Sequence, residues 1–507
     1  MMGLTTPDPP VSAVRYHDRT RHVRHRIAPH SLDFSKYPAP VKTYAYHSRI
    51  PLTQGGGPGE NRSGNQVQIE PDVSVDQVLA GKLPDRETVD LEKVSRILAL
   101  SLGVTLVDKA RGILFRSVPS AGGLYPCQLY LSAQTIDDIE TGLYYCDTVQ
   151  GFLGRINPRP LESLFPDRNQ AGPCLVITGI FYHSAWKYRE RAFRYLLLDA
   201  GHLAEAVLHA ARAAGVRARL CYDFDDLHLV RSLDLDENLE VPLACVLLGS
   251  GIAREKASES KPFQPAAPVP GQPPPVVYGV LKKAYLAGIP IADKPAVEKD
   301  SQVFIRKPDA ILASPSPGRF PAVSFVQALA RRRSRRNFVT RELPEPVWAA
   351  LLGRVFTRIF IGQNPDETGA SVGRFLETAM ICQNMAGVAP GLYSFSRDGS
   401  TLACRQAGVL SGKLARVCLD QAWIGRAAAN FLFVADLTAV EAALGARGYR
   451  YVMMHAGRAG QRLYIAAQEL GLGCCGIGAM YDMEAAVLLG LNPGSVLLYA
   501  VSAGPVK

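Results

Sequence analysis

At 507 residues, 47% hydrophobic and 20% charged, the chain has the composition of a globular protein of two or three domains. No run approaches the roughly 18 uninterrupted apolar residues of a membrane span, and MMGLTTPDPPVSAVRYHD at the start has Pro and Asp where a signal peptide is apolar. A soluble, cytoplasmic protein is therefore expected. The net charge of +10 gathers in RTRHVRHR (19–26) and RRRSRR (331–336), with no nucleic-acid-binding motif beside either cluster. A compact phosphate-bearing ligand or an acidic peptide suits such clusters better than nucleic acid. The ten cysteines form no CxxC pair and sit mostly inside apolar runs such as PLACVLLG, which predicts buried thiols and no metal site.

In chain order, the first distinctive stretch is FRSVPSAGGLYPCQLYL (115–131), a small-residue turn running into an alternating apolar strand. Its glycines let the backbone come close to something and aim N–H groups at it. CLVITGIFY (174–182) reads as a strand. RAFRYLLLDAGHLAEAVLHAARAAG (191–215) reads as a helix with a wide buried face, stopped by Gly215. An acidic turn, CYDFDDL (221–227), and a β-like run to Gly249 follow. Pro-rich, charged sequence over 254–321 predicts a linker between an N-terminal unit, 1–253 with an N-terminal extension, and a C-terminal unit, 322–507.

The second unit repeats the first. NFLFVADL (430–437), RGYRYVMMHAGRAGQRLYIAAQELG (447–471), GAMYDME (478–484) and a run ending at Gly504 occur in the same succession. The two helical segments align without gaps at an offset of 256, from Tyr195 to Tyr451 and from Gly215 to Gly471. The pattern is a duplicated α+β fold, a homodimer folded into one chain, whose pseudo-twofold interface is the natural place for a site.

Two stretches carry candidate ligand chemistry. Arg332, Ser334 and Arg336 follow the helical pattern FVQALARR at i, i+2, i+4, and in extended backbone that spacing turns all three side chains one way. Two guanidinium groups and a hydroxyl suit a dianionic phosphate; a solvated basic helix end is the alternative. GLGCCGIGAM (471–480) sets Gly473, Gly476 and Gly478 after a helix stop, open either to backbone approach on a flat ring or to a tight structural turn. The repeat fails in complementary places. The counterpart of the glycine loop is RARLCY (217–222), the nearest N-terminal approach to Arg-x-Ser-x-Arg is ENRSGNQ (60–66), and the counterpart of PSAGGLYP is ASVGRFLE (370–377). Each half has lost what the other retains. His202, opposite Arg458 in the repeat, reads as a core or interface histidine, and Asp223, Asp225 and Asp226 have no metal-binding spacing.

SVPSAGGLYPCQLYL, TGLYYCD (141–147), KYRERAFRYLLLDAGHL (187–203), ARRRSRRNF (330–338) and GLGCCGIGAMYD (471–482) together resemble the nitroreductase superfamily of flavin enzymes, and within it the SagB-type azoline dehydrogenases of thiazole and oxazole peptide biosynthesis. The resemblance implies an α+β nitroreductase-like fold, non-covalent FMN at the pseudo-dimer interface and electron transfer through it. It assigns the phosphate to Arg332, Ser334 and Arg336, and the ring to Gly476, Ile477 and Gly478. Pro119, Ser120, Ala121 and Gly122 would close over the flavin from the other half, giving one working site per chain and a second, dead one. Azoline dehydrogenases carry a Lys-Tyr pair where this chain has Lys187 and Tyr188; the repeat has Ala443-Leu444 instead. Lys187 is then the base, its pKa lowered with help from Arg189 and Arg191, and Tyr188 orients the substrate. A peptide-derived substrate, a partner cyclodehydratase, and a monomeric pseudo-dimer or further oligomer follow from the same resemblance. Two other readings stand beside it: an NAD(P)H-dependent nitro or quinone reductase, and a flavin-free scaffold for a peptide or partner enzyme.

Overall fold

The computed structural model describes residues 12–53, 73–81, 88–161, 164, 172–249, 278–290, 303–356, 367–368 and 372–507, apart from residues 28, 29, 40, 43, 111, 135 and 317. Much of the 254–321 stretch, the ENRSGNQ segment and residues 370–371 lie outside these. Within 254–321, Gly279–Ala287 is a helix and Ala310–Ala313 a strand.

The duplication is built into the sheets. In the N-terminal half, β1 (Cys127–Ala133), β2 (Gly142–Asp147), β3 (Phe152–Asn157), β4 (Cys174–Ile180), β5 (Ala218–Cys221) and β6 (Glu240–Leu248) lie in the order β3-β2-β1-β4-β6-β5. In the C-terminal half, β7 (Glu377–Cys382), β8 (Gly391–Phe395), β9 (Thr401–Ala407), β10 (Ala429–Asp436), β11 (Gly473–Ile477) and β12 (Ser495–Gly504) lie in the order β9-β8-β7-β10-β12-β11. The ladders within each set are antiparallel, with Leu175 opposite Val246 and Phe431 opposite Val501. Residues of β6 and β12 are buried on both faces, which is why these strands read as continuous apolar runs. Glu367–Thr368, from the C-terminal half, adds to the N-terminal sheet beside β5 in parallel.

Two 22-residue helices, α1 (Ala192–Ala213) and α2 (Gly448–Glu469), cross at the centre. The apolar spacing predicts a wide buried face; the structure buries every residue of α1 except Arg212 and every residue of α2 except Gln468, because the other half covers the side a surface helix would show to water. The crossing is set by Gly201 and Gly457. A Cβ on Gly201 would lie 2.0 Å from the Met454 carbonyl oxygen, and one on Gly457 would lie 2.2 Å from that of Leu198. These contacts are related by the 256-residue offset. Both helices end as the sequence predicts, with Gly215 and Gly471 at positive φ and the next N–H returning to Ala211 or Ala467.

The acidic turns serve the same interface. Asp482 accepts from Arg191 Nη1 at 2.8 Å and Arg194 Nη1 at 2.6 Å. Asp226 pairs with Arg450 Nη1 at 2.6 Å and with Arg447. All six groups are buried. Burial alone would raise the Asp482 carboxyl, yet Arg194 and Arg191 hold it far below the usual carboxylate range. No helix among the described residues is long and apolar enough to cross a membrane, and all ten cysteines are buried free thiols.

Candidate active site

Between the halves lies a cavity of about 150 Å³. Its N-terminal wall is Pro119–Gly122, Tyr188, and Tyr195, Leu198, Asp199 and His202 of α1. Its C-terminal wall is Ser334, Arg336, Gln421, Tyr464, Cys475–Ala479 and Tyr499. Ten of the residues singled out from the sequence, spread from position 119 to position 478, thus meet in one place; Lys187 and Arg332 are not on the lining.

The turn is shaped by its glycines and held by a carboxylate. Gly122 and Gly123 have φ of +68° and +69°, a region that only glycine enters without strain. Ser120 Oγ donates to Asp199 Oδ2 at 2.6 Å, the Ala121 N–H donates to Asp199 Oδ1 at 3.0 Å, and Ser120 Oγ accepts from the Tyr125 N–H at 2.9 Å. Burial pushes the Asp199 carboxyl up to about 7, although the Ser120 and Ala121 hydrogen bonds oppose it. The turn's Ala121 N–H is therefore taken by Asp199 rather than left for a ligand. Asp199 was not among the residues singled out, yet the sequence carried a signal: it is a lone acid in the buried pattern YLLLDAGHL, where the repeat has His455.

The arginine trio does not act as one set. Ser334 and Arg336 are exposed on the cavity wall, whereas Arg332 is buried. Its Nε donates to the Ser117 carbonyl at 2.8 Å and its Nη2 to the Arg116 carbonyl at 3.0 Å. Arg332 caps the helix Phe325–Arg331, and from there its side chain satisfies carbonyls that lead into the Pro119 turn. The expectation that all three side chains converge on one anion is corrected accordingly. Arg336 lies over the Trp423 ring and beside the Cys475 thiol, and pairs with no carboxylate among the described residues.

The glycine stretch, read from the sequence as a loop, forms the edge strand β11 up to Ile477, and its glycines are explained by their own neighbours. A Cβ on Gly476 would lie 1.8 Å from the Tyr499 hydroxyl, and one on Gly478 would lie 2.7 Å from Tyr195 Cε1. The Gly476 N–H donates to the Tyr464 hydroxyl at 2.8 Å, which also meets Ser334 Oγ at 2.9 Å. Ile477 lines the cavity from the C-terminal core. His202 holds the two walls together, with Nδ1 3.1 Å from Gln461 Oε1 and Nε2 2.9 Å from the Tyr499 hydroxyl. Burial lowers it to about 4, so it is a neutral interface histidine, as the repeat predicts.

Lys187 and Tyr188 end the helix Phe181–Tyr188. A Cβ on Gly122 would sit 2.9 Å from the Tyr188 hydroxyl and 3.3 Å from Lys187 Nζ, so both groups converge on the turn. The Tyr188 ring packs on Tyr195, with centroids 4.1 Å apart. Partial burial and then Arg336 hold the Lys187 amine below the usual lysine range. The neighbouring cation is therefore Arg336 of the other half, not Arg189 or Arg191, the latter being bound to Asp482.

The model of the nitroreductase family matches residues 83–250 and 329–504. The chain belongs to the nitroreductase family. Its relatives include a putative nitroreductase of Methanocaldococcus jannaschii, 28% identical over 184 residues, 35% of this chain and 90% of that protein. The microcin B17-processing protein McbC of Escherichia coli is 24% identical over 150 residues, 27% of this chain and 55% of that protein. The crystal structure of a putative nitroreductase from Anabaena variabilis superposes with a TM-score of 0.76 at 25% identity, covering 98% of this chain and 100% of that one.

This nitroreductase-family chain is an intramolecular pseudo-dimer, and among the described residues its two related places differ in their lining. At the 256-residue offset, Gly476, Ile477 and Gly478 correspond to Leu220, Cys221 and Tyr222, all buried. The Tyr222 and Tyr451 rings lie 5.4 Å apart, and Arg458 there donates to Glu205 at 2.9 Å and to the Tyr222 hydroxyl at 3.3 Å. Where the other interface has glycines, this one has the larger Leu220, Cys221 and Tyr222 side chains.

Proposed function

We propose that this nitroreductase-family oxidoreductase is an FMN-dependent dehydrogenase of the SagB type that oxidises azoline rings in a peptide-derived substrate, with one composite flavin site per chain. The observation that carries the proposal is the convergence of the Lys187 amine and the Tyr188 hydroxyl beside Gly122, at a cavity walled by both halves. The similarity to McbC, named for processing microcin B17, supports a peptide substrate, and a partner cyclodehydratase belongs to the same reading.

The residues present fit a flavin mononucleotide. Arg336 and Ser334 offer a guanidinium without a carboxylate partner and a hydroxyl to a phosphate, while Tyr195, Leu198, Gly476 and Gly478 offer a flat, largely apolar wall to a ring. When bound, the flavin supplies an acceptor for a hydride from the substrate. Lys187 takes the proton from the substrate carbon beside the carbonyl; burial and then Arg336 shift its amine downward, in the direction a base needs. Tyr188, its hydroxyl kept protonated by burial, donates to and orients the substrate.

Lys187→Ala is expected to retain bound flavin and to lose azoline oxidation by at least about 100-fold. Unchanged turnover would remove Lys187 from the mechanism. A second reading, reduction of nitroaromatics or quinones by a nicotinamide cofactor, is favoured by the similarity to the Methanocaldococcus protein. It needs no substrate base, so Lys187→Ala would leave that activity in place.

A further inference from the structure

A second group of residues beside Lys187 has no part in the chemistry described so far. The Trp186 ring stands edge-on to Phe34, with centroids 5.4 Å apart, and to Tyr37, at 5.0 Å. Phe34 is 71% exposed and Tyr37 48%. Exposed aromatic rings gathered in one place mark a surface that something covers.

These rings are fixed in position. Trp186 Nε1 donates to the Asp33 carbonyl at 2.9 Å, and the Tyr182 hydroxyl donates to the Lys36 carbonyl at 2.7 Å. Asp33 caps the short turn Phe34–Lys36 by accepting from the Ser35 N–H. His30 Nε2 donates to the carbonyl of Lys187 itself at 3.1 Å. The polar end of Trp186 is thus satisfied by backbone, which leaves ring surface for contact. The rings adjoin the proposed active site through the helix Phe181–Tyr188, in which Trp186 directly precedes Lys187, whose Nζ converges on the Gly122 turn.

We propose that Phe34, Tyr37 and Trp186 form a docking platform for a flat heterocyclic ring of the peptide substrate, next to the ring being oxidised. Offset or edge-to-face packing is what such rings offer a planar partner. The azoline reading supplies only the identity of that partner: its product, an azole, is planar and aromatic where the azoline is not. A peptide with several reacting residues would then be held through a ring already oxidised while its neighbour lies over Lys187, which gives the reaction a direction along the chain.

The test uses the flavin-loaded protein and a short peptide carrying one thiazole, which is already at the product oxidation state and cannot react. Its affinity is measured by calorimetry beside that of the same peptide with glycine in place of the ring. The wild type is expected to prefer the thiazole peptide by about threefold to tenfold. Trp186→Ala and Phe34→Ala should each remove most of that preference, whereas Lys187→Ala should keep it. Phe34 is so exposed that its loss leaves the fold intact, and flavin content verifies this. A wild type without the preference, or a Phe34→Ala protein that keeps it, would overturn the platform. Should the protein fail to oxidise azoline peptides yet show a preference that Phe34→Ala removes, the azoline reading falls and the platform stands.

Discussion

Asp199 shows how one buried carboxyl shapes the candidate site. It reaches the cavity and holds the Ser120 hydroxyl and the Ala121 N–H, and burial raises it to about 7. A folded value above the unfolded one, near 3.8, means that the folded state holds this proton more tightly. Stability from this group is therefore full below pH 4 and is lost as pH rises to about 7, at about 1.4 kcal/mol per unit. Asp199→Asn should flatten the fall in melting temperature over that window; an unchanged pH slope would show that Asp199 is not the titrating group. The two arginines separate at the same scale. Arg336→Ala should weaken flavin binding by about 10- to 100-fold, the loss of one charge-assisted contact worth roughly 1.5–3 kcal/mol. Arg332→Ala should instead lower the melting temperature, by leaving the Arg116 and Ser117 carbonyls without their donor. A flavin loss confined to Arg332→Ala would reverse this assignment.

At the level of elements, the crossing of α1 and α2 makes the strictest demand on sequence. Gly201→Ala would set a methyl 2.0 Å from a backbone carbonyl oxygen that cannot turn aside, so the helices must separate at a cost of about 2 kcal/mol or more. Gly412→Ala, in the helix Ser411–Val417 with nothing within 4 Å, should be neutral or stabilising by up to about 1 kcal/mol. Urea midpoints of the two variants decide it, and equal midpoints would refute the crossing argument. The same elements show how much was legible. Helix periodicity and C′ glycines are local, so both long helices and their ends could be read directly. The Pro119–Gly122 turn, Arg336 and the glycine loop were legible because each is a short motif of unusual residues. Arg332 was misplaced because a capping residue's side chain follows its partners, here two carbonyls more than 200 positions away in sequence. Tyr464 and Tyr499 could not be told from core aromatics, since their hydroxyls acquire roles only when the other strands and helices arrive. The glycine stretch was legible in place but neither as strand β11 nor in cause, as its missing side chains make room for Tyr499 and Tyr195.

On the scale of the whole molecule, an almost symmetric frame carries an asymmetric content. Arg191 and Arg194 bind Asp482 as Arg447 and Arg450 bind Asp226, each set offset by 256 positions. The two carboxylates should therefore matter alike for holding the halves together. Removing either leaves two buried guanidinium groups without their counter-charge, which for a buried pair costs about 3–5 kcal/mol. The surroundings differ, however. Arg191 Nη2 also reaches the Gly478 carbonyl at 3.4 Å, on the wall of the open cavity, whereas Arg447 Nη2 is bound to the Tyr222 and Phe224 carbonyls, beside the filled counterpart. Asp482→Asn and Asp226→Asn are thus expected to lower the urea midpoint by similar amounts, while only Asp482→Asn releases flavin, read as loss of visible absorbance after gel filtration. The wild type should carry close to one flavin per chain in the same measurement. A stoichiometry near two, or equal flavin loss in both variants, would mean that the second interface also binds, and that Tyr222, Tyr451 and Arg458 yield their space to a ligand.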